Sequence, residues 1–94
     1  MNEPLSPPVA KARITAILAT GSYTWSSHAL KEMESDKLIA DDAVNVLRGG
    51  VVEPGEFENG SWRYRVRTNK IYVVVCFRSE TEMIIVTCWR VKKR

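Results

Sequence analysis

The chain carries one histidine and two cysteines among 94 residues. Cys76 and Cys88 are too few for a disulfide framework and have no metal-ligand spacing, so neither a metal nor a cofactor is expected. The longest apolar run, from Ile71 to Phe77, is far too short to cross a bilayer. Met1-Asn2-Glu3-Pro4 lacks the charged start and apolar core of a signal peptide, which makes a cytoplasmic location the expectation, with no membrane partner. Glycine-rich phosphate loops, catalytic carboxylate pairs in motif spacing, nucleophile elbows and internal repeats are also missing. With hydrophobic residues at 45%, a single folded domain spanning residues 1–94 is expected.

Acids are scarce in the second half. After position 60 the cations are Arg63, Arg65, Arg67, Lys70, Arg78, Arg90, Lys92, Lys93 and Arg94, against only Glu80 and Glu82. The net charge of +3 is mild, but this asymmetry suits a sheet that faces a polyanion, or equally a solvated basic face.

Ser6-Pro7-Pro8 reads as a helix start, and Ala10, Ile14, Ile17 and Leu18 recur at helical spacing up to Gly21. Ser22 to Trp25 reads as a short strand. Ser26 or Ser27 suits the cap of a second helix, with Ala29, Leu30 and Met33 as its apolar stripe. A third helix is expected from about Asp41 to Arg48, stopped by Gly49-Gly50. The period then changes to two. Val51 to Glu58 reads as one strand, and Asn59-Gly60 as a hairpin turn that sets Glu58 opposite Ser61, Phe57 opposite Trp62 and Glu56 opposite Arg63. Turns at Thr68-Asn69-Lys70 and Ser79 to Glu82 complete the pattern, and the last would place Cys76 near Ile85 rather than Cys88, leaving both thiols reduced. The expected fold class is α+β: two to three N-terminal helices packed on a four-stranded antiparallel sheet.

His28 is the natural acid/base candidate, because only imidazole has an unperturbed pKa near neutrality. On a helix Lys31 and Glu32 share its face, Glu32 placed to orient the ring and Lys31 to hold a phosphate. A capping or half-buried structural histidine fits the same pattern. Strand alternation puts Arg63, Arg65 and Arg67 on one face, where guanidiniums would stabilise charge growing on phosphate oxygens. Glu56 can account for Arg63 as a cross-strand ion pair, whereas the position across from Arg65 falls near Pro54 and offers no acid. Thr87 and Trp89 share a face and could hold a phosphate and stack a base, with core packing the alternative for Trp89. Arg90 and the tail Lys92-Lys93-Arg94 could track a nucleic-acid backbone.

These segments resemble the DUF 4258 domain family, relatives of the RelE/ParE-like toxins of bacterial toxin–antitoxin systems. The resemblance rests on His28-Ala29 and Met33, on Gly49 after the third helix, on Gly60-Ser61-Trp62-Arg63-Tyr64-Arg65-Val66, and on Val86-Thr87-Cys88-Trp89. It covers about Tyr23 to Arg90, so residues 1–21 form an N-terminal helix extension, 22–91 a toxin-like core and 92–94 a basic tail. It implies a RelE-like fold, metal-independent cleavage of RNA, growth inhibition, neutralisation by a cognate antitoxin protein, and association with the ribosome. Carried over, His28, Arg63 and Arg65 would be catalytic, and Lys31, Arg67, Thr87, Trp89 and Arg90 would bind substrate. The chain departs from the family at Glu32, where the family has an arginine, and at Ser35-Asp36, where it has a Glu-Arg pair. An anion beside a phosphate site weakens binding of RNA, so a non-catalytic nucleic-acid- or protein-binding module of the same fold, including a ParE-like protein-targeting toxin, is the alternative.

Overall fold

The Ser6 hydroxyl accepts the Val9 N–H at 3.4 Å and Pro7 and Pro8 fill the first turn, which starts α1 (Pro7–Thr20) where the sequence pattern puts it. The structure, a computed structural model, describes residues 2–92. After α1 come β1 (Ser22–Trp25), α2 (Ser27–Ser35) and α3 (Ala40–Gly49). The strands β2 (Val51–Val52), β3 (Glu56–Glu58), β4 (Ser61–Arg67), β5 (Ile71–Phe77) and β6 (Glu82–Arg90) follow. The basic tail expected at 92–94 lies, beyond Lys92, outside the described residues.

The α+β class holds, with three helices and a mostly antiparallel open sheet. The sheet is larger than the expected four-stranded meander: its order is β1-β6-β5-β4-β2, with β3 also paired to β4. Two physical causes account for the difference. Pro54 offers no N–H to a ladder, and Gly55 passes so close to the Tyr64 ring that an added Cβ would lie 2.8 Å from it. The stretch 51–58 therefore breaks into β2 and β3. At the far edge β1 runs parallel to β6, from Ser22 beside Glu82 to Trp25 beside Ile85.

The hairpin forms as its residues dictate. Asn59 and Gly60 both take positive φ, 50° and 83°, and the pairs Glu56–Arg63, Phe57–Trp62 and Glu58–Ser61 are the expected register. Between β5 and β6 the register shifts, Val74 facing Thr87 while Val75 faces Ile85, so Val86 is the extra residue of a bulge. Cys76 lies across from Ile84 and Cys88 across from Val73, and both thiols are free.

One sheet face is covered by the helices. Tyr64 and Val66 of β4, Val73, Val75 and Phe77 of β5, and Met83, Ile85 and Cys88 of β6 join Ile14, Ile17, Met33, Val46 and Leu47 in a single core cluster. Val74, although buried, stands outside that cluster, on the opposite face. Lys11 binds α1 to the end of α3, its ammonium donating to the carbonyls of Leu47 (3.1 Å) and Gly50 (2.8 Å).

The Tyr64 side chain is wholly buried, and its hydroxyl donates to Glu3 Oε2 at 2.7 Å while accepting the Leu5 N–H at 3.0 Å. Burial first, and then the Glu3 carboxylate, push its pKa from 10.0 up to about 12, against the pull of the Leu5 N–H. The unfolded chain thus ionises first, and the stability linked to Tyr64 is full below about pH 10 and lost as pH rises toward 12. Tyr64→Phe is expected to cost about 1–3 kcal/mol at neutral pH by stranding the Leu5 N–H. It should also flatten the alkaline loss, as read by urea unfolding between pH 8 and 11.5.

Candidate functional site

Alternation along β4 sends Tyr64 and Val66 into the core and Arg63, Arg65 and Arg67 to the other face, which no core residue occupies. Cross-strand pairing carries the face onward: Arg65 sits beside Val74, which faces Thr87, and Arg67 sits beside Tyr72, which faces Trp89. A shallow hollow of about 80 Å³ opens there, lined by Glu56, Glu58, Arg63, Arg65, Val74, Thr87 and Trp89. Glu56 and Glu58 belong to β3, yet they share this hollow with residues of β6, so the β3–β4 hairpin curls over the sheet.

The three arginines have different surroundings. Arg67 Nε donates to Glu53 Oε2 at 2.8 Å, a partnered and exposed ion pair. Arg65, expected to lack an acid, has Glu56 Oε1 at 3.8 Å from its Nε. The reason is diagonal reach: β3 stops at Glu56, the backbone at 53 rejoins the Arg65 carbonyl, and Glu56 leans along β4. Arg63, directly across from Glu56 in register, is the one whose Nε is buried without a hydrogen-bond partner among the described residues. Such a group is costly to leave unpaired; the nitrogen is buried, while its residue lines the hollow. Beside it lies Cys76, whose thiol is pushed up by burial against the opposing pull of Arg63.

Trp89 stacks on Tyr72 with ring centroids 5.1 Å apart and planes within 12°, an aromatic pair bordering the hollow. Trp89 is half-buried rather than a core residue. Arg90 is engaged elsewhere. Its backbone N–H donates to Asp36 Oδ2 at 2.7 Å and its guanidinium to the Asp36 carbonyl at 3.2 and 3.3 Å, fastening the end of β6 to the end of α2.

His28 does not line the hollow. It stands in the first turn of α2 with a side chain 67% exposed, which sets aside the half-buried role, and its nearest acid is Glu32, 3.8 Å away. Lys31 is exposed on the same helix and also lies outside the hollow. The structure therefore brings together Arg63, Arg65, Thr87 and Trp89 and leaves His28, Lys31, Arg67 and Arg90 apart from them. Residues unanticipated as site members are Glu56 and Glu58. The Asn59-Gly60 register already puts Glu56 beside Arg63, so the signal for Glu56 is legible in the sequence, where it equally fits charge neutralisation. Among the described residues no group of three or more His, Cys, Asp or Glu is placed to hold a metal ion, and no helix is long and apolar enough to cross a membrane.

No family model, curated protein or solved structure matches the chain. The geometry of the open face is therefore what bears on function.

The position of α2, and with it His28, depends on Ser26. Its hydroxyl accepts the Ala29 N–H at 2.9 Å and donates to the Val86 carbonyl at 2.6 Å, joining the helix start to the bulge of β6. Ser26→Ala removes both bonds, and a loss of about 1–3 kcal/mol is expected in thermal or urea unfolding. The hollow, built by other elements, should keep its ligand affinity in this variant.

Proposed function

We propose that the chain is a toxin-like, metal-independent endoribonuclease that grips single-stranded RNA on the open face of its sheet. The observation that carries this reading is the hollow in which Arg63 and Arg65 converge with Thr87 and Trp89, with one guanidinium nitrogen buried and unpartnered. Two guanidiniums match the oxygens of a phosphodiester, and they would stabilise the added charge as phosphorus becomes five-coordinate. The Tyr72–Trp89 pair offers a flat surface for a base next to that phosphate, and Thr87 a hydroxyl to hydrogen-bond it. Stacking of this kind requires an unpaired base, which favours single strands over duplex.

The resemblance to the DUF 4258 and RelE/ParE-like proteins supports the same reading and supplies its biological frame. The protein would arrest growth by cutting messenger RNA in the cytoplasm, at the ribosome, and a cognate antitoxin would silence it by covering the cationic face. A RelE-like arrangement of helices against an antiparallel sheet is consistent with the α+β fold.

A second reading, a binding module without catalysis, is favoured by one observation: His28, the sequence's acid/base candidate, lies outside the hollow. The two readings part on a simple assay. Purified protein in EDTA should cut a labelled single-stranded RNA oligonucleotide, and Arg63→Ala and Arg65→Ala should each slow cleavage by about 100-fold or more. Trp89→Ala should weaken RNA affinity by about 1–3 kcal/mol, with affinity falling as salt rises. Tight, salt-sensitive binding with intact RNA would select the binding module. Undetectable affinity would reject the ribonuclease and the nucleic-acid-binding module, and select the protein-binding form of the second reading.

A further inference from the structure

We propose that Glu56 is the acid/base group of this hollow, an inference that rests on the RNA-cleaving reading above. Three observations converge on it. Glu56 lines the hollow, lies directly across β3–β4 from Arg63 and has a carboxylate oxygen 3.8 Å from Arg65 Nε. It is therefore flanked by the two cations that would bind the scissile phosphate. A base that takes the 2′-hydroxyl proton must sit beside that phosphate, since the 2′-oxygen is the atom that attacks it.

The buried, unpartnered Nε of Arg63 supplies the second part. Glu56 faces Arg63 in register but makes its charge contact with Arg65, so among the described residues Arg63 has no ion pair and its buried Nε no acceptor. A phosphate in the hollow would meet a guanidinium that must turn to expose that nitrogen. The neighbouring Glu58 is less suited. It is the last residue before the turn, opposite Ser61, and among the described residues it has no ion pair with either arginine. His28 does not line the hollow.

The step balances as a transesterification. Glu56 carboxylate takes the proton from the ribose 2′-hydroxyl, and the 2′-oxygen forms a bond to phosphorus. The bond from phosphorus to the 5′-oxygen breaks, its electron pair leaving with that oxygen. The 5′-oxygen takes a proton from solvent water, and the resulting hydroxide is neutralised by the proton on Glu56. The products are a 2′,3′-cyclic phosphate and a 5′-hydroxyl end, with no oxidant, metal or other reactant consumed.

An ion-pair role and a catalytic role for Glu56 predict opposite results in Glu56→Gln. If Glu56 only neutralises Arg65, removing its charge frees the guanidinium, so RNA binds more tightly and cleavage is unchanged or faster. If it is the base, single-turnover cleavage falls by about 100-fold or more while affinity is unchanged or tighter. Affinity is measured on a 2′-O-methyl RNA of the same sequence, which cannot be cut. Glu56 is exposed and the amide is isosteric, and matching melting curves would verify the fold. His28→Ala is expected to retain cleavage. A wild type that cuts RNA, with Glu56→Gln equally active or His28→Ala inactive, would overturn the assignment of Glu56 and leave the ribonuclease reading standing. A wild type that cuts no RNA would overturn both.

Discussion

The strand β4 is the constraint on which the rest depends, because it belongs to the core and to the cationic face at once. Its alternation leaves no freedom between the two: moving Tyr64 by one position would drive an arginine into the helix-covered side. Burying an unpaired guanidinium there would cost far more than the hydrophobic contacts regained. The register is locked from both flanks, by Val66 against Val73 on β5 and against Val52 on β2. The Tyr64 hydroxyl adds a third fastening by reaching the chain at Glu3 and Leu5, so the segment preceding α1 closes the core beneath the arginines. The core side of β4 thereby holds three cationic side chains at fixed spacing, which no exposed loop could do.

Three like charges on one strand repel, and the structure disposes of that repulsion unevenly. Arg67 is neutralised by Glu53 at hydrogen-bond distance, Arg65 is only loosely approached by Glu56 at 3.8 Å, and Arg63 keeps a nitrogen without a partner. The gradient runs toward the hollow, which Arg63 and Arg65 line and Arg67 does not. Exposed ion pairs contribute about 0–1 kcal/mol each, too little to explain the arrangement as a stabilising device. Placing Glu56 and Glu58 there required the break at Glu53-Pro54-Gly55, which releases the hairpin from β2 and lets it curl across the sheet.

Most of the fold was legible in the chain. The Ser6 and Ser26 caps, the Asn59-Gly60 register and the offset of Cys76 from Cys88 all follow from local chemistry, and the structure bears them out. What was not legible involves contacts between distant segments. Four residues of β1 carry no sign that they will pair parallel to β6, sixty positions away, and the bulge at Val86 has no residue signature. Pro54 was visible, but its effect on a strand depends on whether the ladder needs its N–H, which only the neighbour β4 decides. The site divides in the same way. Arg63, Arg65, Thr87 and Trp89 lie on strands whose alternation and register are countable, so their convergence could be anticipated. The helix carrying His28 is positioned by Ser26, Val86 and the Asp36–Arg90 clasp, none of which spacing alone reveals.

That clasp bears on what the acids of α2 do. Asp36 accepts the backbone N–H of Arg90, and its carbonyl takes the Arg90 guanidinium, so the residue serves the junction between α2 and β6. Glu32 is likewise turned to its own helix, beside His28. Lys31 stays exposed on the same helix, so the α2 surface presents charges of both signs. The arginines of β4 stand on the sheet face away from the core cluster, so the charge of α2 and the charge of the open sheet face are set by separate elements.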